Sequence, residues 1–246
     1  MTNATAPHRT DIVRRVAALP WPELAAALDA RGAATTGPLL SAAECRALAA
    51  LYKDEAPGRF RSRVVMARHG FGQGEYKYFA HPLPPLVAAL RRELYPRLAL
   101  IAARWHAALG RDAKFPPTLE GYLERCHAAG QTRPTPLLLR YGAGDYNCLH
   151  QDLYGALAFP LQATILLSAP GADFAGGEFV LVEQRPRMQS RPEIVPLRQG
   201  EAVIFAVNER PVAGKRGTYR VKMRHGVSTV RSGERLTLGI IFHDAR

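Results

Sequence analysis

The chain has 246 residues with a formal net charge of +12, 47% hydrophobic and 22% charged. That suits one large domain or two small ones and excludes a disordered or fibrous chain. At this length roughly three quarters of the unfolded surface can be buried, so no disulfide staples are needed. The positive excess favours a polyanionic partner, nucleic acid above all, or else marks a generally basic proteome.

Three cysteines, Cys45, Cys126 and Cys148, are widely spaced, odd in number and form no C-x-x-C pair. They fit a reduced, cytoplasmic setting. Residues 1–11, "MTNATAPHRTD", have no apolar h-region and read as a short mobile tail, and nothing further on resembles a membrane span. "DIVRRVAAL" and "WPELAAALDARG" have helical apolar spacing, with Pro22 near a helix start and Gly32 at its end. "SAAECRALAALYKDEA" sets Ser41 three residues before Glu44, the pattern of a capping box. "GRFRSRVVMARHGFGQGEYKYFAHPLPP" reads as a strand or two around a Gly-rich turn. "PPLVAALRRELYPRLALIAARWHAALG" reads as a long helix broken or kinked at Pro96. From about Phe115 the pattern turns to β. "PLLLRYG", "PLQATILLSA", "GGEFVLVEQ", "EAVIFAV", "YRVKMRHGVSTV" and "RLTLGIIFHD" are short runs separated by Gly-rich and Pro-rich turns. They predict an antiparallel barrel or jelly roll. The expected fold class is α+β. Residues 12–246 form a single domain, with 12–113 mainly helical and packed outside a β core over 114–246.

The stretch "RYGAGDYNCLHQDLYG" places His150 and Asp152 two residues apart after a strand. Such a spacing is common by chance in ordinary polar residues at a strand end. Alternatively, a strand points residues i and i+2 to one face, so both side chains could grip one metal ion. A 2-His-1-carboxylate triad marks non-haem Fe(II) oxygenases and demands a second, distant histidine. "MRHGVSTVRSGERLTLGIIF" provides His225 at the end of a strand-like run, with Arg235 ten positions on.

His-x-Asp, a distal His and an Arg about ten positions later together resemble the Fe(II)/2-oxoglutarate-dependent dioxygenases. The core of those enzymes is a double-stranded β-helix, a jelly-roll variant. "GADFAGGEFVL" followed by "VPLRQGEAVIF" resembles prolyl-hydroxylase-type members, and "RYGAGDYNCLHQD" resembles both these and the AlkB-like alkylation-repair enzymes. "RPTPLLLRYGAGDYNCLHQDLYG", "EQRPRMQSR", "RHGVS" and "GIIFHDA" are similar to a bacterial family predicted to oxidise damaged bases in nucleic acid. That resemblance runs from about Arg59 to the C-terminus. It implies that His150, Asp152 and His225 hold Fe(II), with O2 and 2-oxoglutarate as cosubstrates. It further implies that Arg235 meets the distal carboxylate of 2-oxoglutarate in a two-pronged charge-assisted bond, and that Tyr141, on the presumed strand of His150, donates its hydroxyl to the same molecule. The spacing of Arg235 is prolyl-hydroxylase-like. The alkylation-repair enzymes carry two arginines farther from the distal His, and Arg224 and Arg231 do not match that pair.

For the substrate, "RPVAGKRGTYRVKMRH" reads as a loop leading into the metal-binding strand. It carries Arg210, Lys215, Arg216, Arg220, Lys222 and Arg224 with no acid among them, enough to follow a phosphate backbone beside the site. "RFRSRVVMARHGFGQGEYKYF" interleaves arginines with Phe60, Phe71, Tyr76 and Tyr78, as stacking on an extruded base would need, or as a solvated face over core aromatics would give. Arg216, Arg220, Lys222, Tyr76 and Tyr78 are the candidate substrate residues. Cys148 reads as a small strand residue and His243 as structural or surface; His69, His81 and His127 have no metal-ligand spacing. Three functions stay open. One is an oxygenase hydroxylating an N-methyl group on a nucleic acid base, with loss of formaldehyde. Another is a hydroxylase of a peptide side chain or free amino acid. The third is a catalytically silent nucleic-acid binder, which would have no need of the triad.

Overall fold

The computed structural model describes residues 6–54, 56–112, 114–215 and 217–246. The first helix, α1 (Ala6–Ala17), already covers residues 6–11, where a tail was expected; residues 1–5 lie outside the described residues. Next come α2 (Trp21–Arg31), the strand β1 (Ala33–Pro38) and α3 (Ala42–Ala50). Local chemistry sets their ends. Gly32 caps α2 in the left-handed region at φ 78°, its N–H donating to the Leu28 carbonyl. Ser41 and Glu44 form the expected capping box, with Glu44 N–H donating to Ser41 Oγ at 3.2 Å and Ser41 N–H to the Glu44 carboxylate at 2.8 Å.

Strands β2 (Phe60–Val65), β3 (Gly72–Gln73) and β4 (Glu75–Phe79) lead to α4 (Pro85–Ala108). This helix runs unbroken through Pro96. Its stripe of Leu90, Leu94, Leu98, Ile101 and Trp105 is buried in the core. Each such side chain contributes roughly 1.5–3 kcal/mol over exposure, enough in sum to outweigh the backbone bond a proline forfeits. After α5 (Leu119–Ala128) the chain is all strand: β5 (Leu137–Tyr141), β6 (Tyr146–His150), β7 (Leu161–Leu166), β8 (Phe174–Gly176), β9 (Phe179–Gln184), β10 (Arg191–Val195), β11 (Glu201–Ala206), β12 (Glu209–Gly214), β13 (Gly217–Val227), β14 (Val230–Gly233) and β15 (Arg235–Ile240).

Seven strands form one antiparallel sheet in the order β1-β11-β7-β15-β5-β4-β2. A second runs β10-β9-β13-β6-β3, with β12 folded back on β13, and β14 pairs with β8. The large sheet takes β1, β2 and β4 from the first half, so the division expected at residues 113–114 cuts through it rather than between layers. In its centre β7 and β15 are buried along their whole length, so their polar residues Gln162, Thr164, Arg235 and Thr237 are enclosed with the apolar ones. The helices cover one face; the other looks toward the second sheet.

The C-terminal segment is fastened to this frame by buried polar contacts. Arg91 of α4 donates to the Ile241 carbonyl and to Asp244 Oδ1, both at 2.8 Å, and His127 Nε2 lies 2.9 Å from Asp244 Oδ2. Gln131 donates to the Asp244 and Leu157 carbonyls and accepts from Leu157 N–H. Among the described residues no helix is long and apolar enough to cross a membrane.

Candidate active site

A cavity of about 370 Å³ opens between the two sheets. Strand periodicity builds it: Leu137, Leu139 and Tyr141 of β5, Gln162 and Thr164 of β7, and Arg235 and Thr237 of β15 point into it. Their neighbours Leu138, Ala163, Ile165, Leu236 and Leu238 belong to the apolar core. The second sheet contributes Asn147 and His150 from β6 and His225 from β13.

His150 is the last residue of β6 and stands directly across the ladder from His225, with ring centres 4.2 Å apart. Asp152 lies past the end of the strand, so the same-face rule does not place it. The loop is held by side chains instead. Gln151 Nε2 donates to the carbonyls of Met223 at 2.7 Å and Asn208 at 3.2 Å, and the Tyr154 hydroxyl donates to Asp152 Oδ1 at 2.6 Å. Asp152 Oδ1 is 3.4 Å from His150 Nε2 and Oδ2 is 3.3 Å from His225 Nε2. One ligand atom from each of the three falls within 4.8 Å of the others.

Burial by itself would raise the Asp152 carboxyl, but the two imidazoles hold it well below the usual range. Burial would lower His150, yet Asp152 raises it; burial, with His150 as a second cation, keeps His225 low. His150 Nδ1 faces the Cys148 carbonyl at 2.8 Å, which leaves Nε2 free for a metal. Two imidazole nitrogens and one carboxylate, converging with Asp152 and His225 buried and His150 half-buried, are the donor set that suits Fe(II).

Arg235 faces Tyr141 across the ladder, its guanidinium carbon 5.6 Å from the ring centre. It is 2% exposed, and its Nε and Nη1 have no hydrogen-bond partner among the described residues. Burial lowers its pKa to about 10. A buried unpaired cation is costly unless an anion completes it, so the residues present fit a carboxylate ligand in the same cavity as the triad. Tyr141 sits on β5 and not on the strand of His150; its hydroxyl accepts from Asn147 Nδ2 at 3.2 Å.

The substrate candidates divide. Tyr76 lines the cavity, whereas Tyr78 is buried behind it, edge-on to Tyr76. The basic segment expected as a loop is the hairpin β12–β13. Along β13 Val221, Met223 and His225 turn inward, so Arg220, Lys222 and Arg224 turn outward. At about 3.3 Å per residue Arg220 is roughly 16 Å from His225, not at the cavity mouth. Arg220 and Lys222 both lie within ion-pair distance of Glu209, Arg210 is buried against Glu183, and Arg216 lies outside the described residues. His243 is buried, accepting Phe159 N–H at 3.1 Å, and is structural as expected.

Sequence reasoning did not single out Asn147, Tyr154, Gln162, Thr164 or Thr237. Gln162 and Thr164 leave a signal, two polar residues at i and i+2 in an otherwise apolar strand. Phe71 stands at the cavity rim, 47% exposed and stacked on His69 at 5.3 Å between ring centres.

A family model described as "Oxygenase, catalysing oxidative methylation of damaged DNA" matches residues 74–245. An uncharacterized protein of Mycobacterium tuberculosis is 54% identical over 167 residues, covering 68% of this chain and 72% of that one. Among solved structures, a prolyl 4-hydroxylase from Phytophthora capsici aligns with a TM-score of 0.53 at 18% identity, over 95% of this chain and 64% of that one. A 2OG-Fe(II) oxygenase family oxidoreductase from Burkholderia pseudomallei gives 0.51 at 18%, over 92% of each. The cavity gathers the His150–Asp152–His225 cluster and Arg235, and the chain, matched by that model over more than half of its length, belongs to this oxygenase family and is an oxidoreductase.

Proposed function

We propose that the protein removes alkyl groups from nucleic acid bases by oxidation, on a core that closes as a double-stranded β-helix. His150, Asp152 and His225 would hold the iron, which when bound supplies oxidation of a C–H bond by O2 coupled to conversion of 2-oxoglutarate to succinate and CO2. The observation that carries the cosubstrate assignment is Arg235, a buried guanidinium with two unpartnered nitrogens. It pairs with the distal carboxylate, while Tyr141, held by Asn147, borders that end of the cosubstrate. Hydroxylation of an N-methyl group yields a hemiaminal that loses formaldehyde, so on a methylated base this chemistry demethylates.

The rim supports a large, flat-faced substrate. Phe71, Tyr146, Leu149 and Leu153 are 47%, 37%, 45% and 48% exposed, and Phe71 and Leu149 border the cavity. Exposed apolar side chains grouped at a site mark a binding surface. The stacked pair of Phe71 and His69 offers a π-face on which a base can lie, and Tyr76 lines the cavity beyond it. The outward stripe of Arg220, Lys222 and Arg224 offers cations for phosphates, a role in which Arg216 joins them. A cytoplasmic setting belongs to the same reading.

Binding to a fluorescent single-stranded oligonucleotide tests it. Affinity should fall steeply with salt, and Phe71→Ala should weaken it about fivefold or more, the loss of one stacked base. Joint replacement of Arg216, Arg220 and Lys222 by Ala should flatten the salt dependence. Binding indifferent to ionic strength and to Phe71 would contradict the nucleic acid reading. It would favour the second reading, hydroxylation of a peptide side chain or free amino acid, which the ten-residue spacing of Arg235 supports.

A further inference from the structure

Asp152 is the one metal-site residue that no strand holds, and the structure shows what holds it instead. The Tyr154 hydroxyl donates to its Oδ1 at 2.6 Å. The Tyr154 ring is itself wedged, edge-on to Tyr78 at 6.5 Å and tilted against His243 at 6.1 Å. Behind it the Arg61 guanidinium lies 4.3 Å over the Tyr78 ring and donates to the Pro134 carbonyl. The backbone is pinned one residue further on. Gly155 adopts φ 123°, and a Cβ there would meet the Gln131 carboxamide at 2.5 Å. That same carboxamide holds Leu157 and Asp244.

From this geometry we infer that Tyr154 is a positioning residue for the metal site: its hydroxyl fixes the rotation of the Asp152 carboxylate so that the acid meets both imidazoles at once. The two faces of the carboxylate already differ. Oδ1 takes the Tyr154 proton and the His150 side, and Oδ2 faces His225. Without the hydroxyl, only the two imidazole contacts, which a bound metal replaces, restrain rotation of this loop carboxylate about its terminal bond, and each metal-binding event has to order it again. Ligating carboxylates are held by such outer partners, and losing one typically costs about 10- to 100-fold in metal affinity. Tyr78, whose hydroxyl shares a hydrogen bond with that of Tyr154 and makes none to Asp152 among the described residues, is the internal control.

The role rests on the triad being the iron site, and the test separates the two. Fe(II) binding is measured by anaerobic calorimetry on the full chain for the wild type, Tyr154→Phe, Tyr78→Phe and His150→Ala. Melting of each metal-free protein is followed alongside. Tyr154→Phe keeps the ring and should melt within about 4 °C of the wild type, a change of the order of one hydrogen bond. It should bind Fe(II) about 10- to 100-fold more weakly, while Tyr78→Phe stays within about threefold. Wild-type affinity in Tyr154→Phe overturns the positioning role and leaves the site intact. Equal losses in both Tyr variants overturn it as well, since the bond to Asp152 would then not be the cause. Wild-type binding unaffected by His150→Ala overturns the site itself, and this inference with it. If Tyr154→Phe melts far lower, the comparison moves to Co(II) absorption at saturating metal. An altered ligand-field band supports the role, and an unchanged one overturns it.

Discussion

Arg235 is a guanidinium 2% exposed with two nitrogens that lack hydrogen-bond partners among the described residues. Replacing it by alanine should raise the apparent Kd for 2-oxoglutarate at least about 100-fold, read by calorimetry on the Fe(II)-loaded protein. The metal-free protein should not lose stability, because an uncompensated buried charge goes with it. Lysine should rescue only in part, since one ammonium cannot reproduce a fork of two parallel bonds. Normal cosubstrate binding by Arg235→Ala would contradict the assignment. At this scale much was legible in the sequence: the two histidines, the acid and Arg235 are chemically unusual residues at a recognisable spacing, and the structure brings all four to one cavity. What the spacing could not convey is how Asp152 gets there. The i, i+2 rule assumes a strand that ends two residues too early, and the work falls to Gln151, which bonds the distant Met223 carbonyl, and to Tyr154, which bonds Asp152 from a ring lodged against the distant Tyr78 and His243.

Elements declare themselves where one physical pattern dominates. The six runs read as strands in the second half all fall on strands β5, β7, β9, β11, β13 and β15, and the capping box and glycine cap sit where their chemistry required. Strands β1, β8, β10, β12 and β14 were not foreseen, because their burial is partial and the ladder partners that stabilise them are remote; β6 was read as one strand with β5, and β12 as a loop for its Pro, Gly and basic content. Continuity of α4 through Pro96 reflects packing winning over propensity, and Arg91 is part of that packing. Arg91→Met should cost about 3–5 kcal/mol by urea unfolding, because it strands the Asp244 carboxylate in the interior with His127 as its remaining side-chain partner. A second joint links α1 to α3. The Arg15 hydrogen bond, against the opposing effect of burial, holds Glu44 at about 2 instead of 4.5. A carboxyl depressed in the folded state stabilises it above pH 4.5, and that contribution is lost as pH falls from there toward 2. Arg15→Met should therefore destabilise the protein by about 1–2 kcal/mol at pH 6 and narrow the gap to wild type by pH 3, measured by thermal melting at both values.

On the scale of the whole molecule, two antiparallel sheets with helices on one outer face enclose a cavity that holds a His-Asp-His cluster fit for a metal at one place and, at another, a cation unpaired among the described residues, with the exposed Phe71 and Leu149 at its border. The α+β class and the run of strands from Leu137 onward were legible from the shift in pattern; helix α5 (Leu119–Ala128), inside the part expected to be β core, was not. The contribution of β1, β2 and β4 to the large sheet was not, since sheet order is set by long-range pairing. Charge distribution was also opaque: the +12 excess is real, but along β13 alternation turns its cations to the outer face, away from the cavity. These features lead to one central claim, that an Fe(II)/2-oxoglutarate centre here acts on alkylated nucleic acid. Succinate release from 2-oxoglutarate by the Fe(II)-loaded protein, with and without a methylated single-stranded oligonucleotide and with His150→Ala as the blank, tests it most directly. The account predicts His150-dependent turnover that the methylated strand stimulates and the unmethylated strand does not, with formaldehyde appearing in step with the added succinate; turnover that the methylated strand leaves unchanged would contradict it.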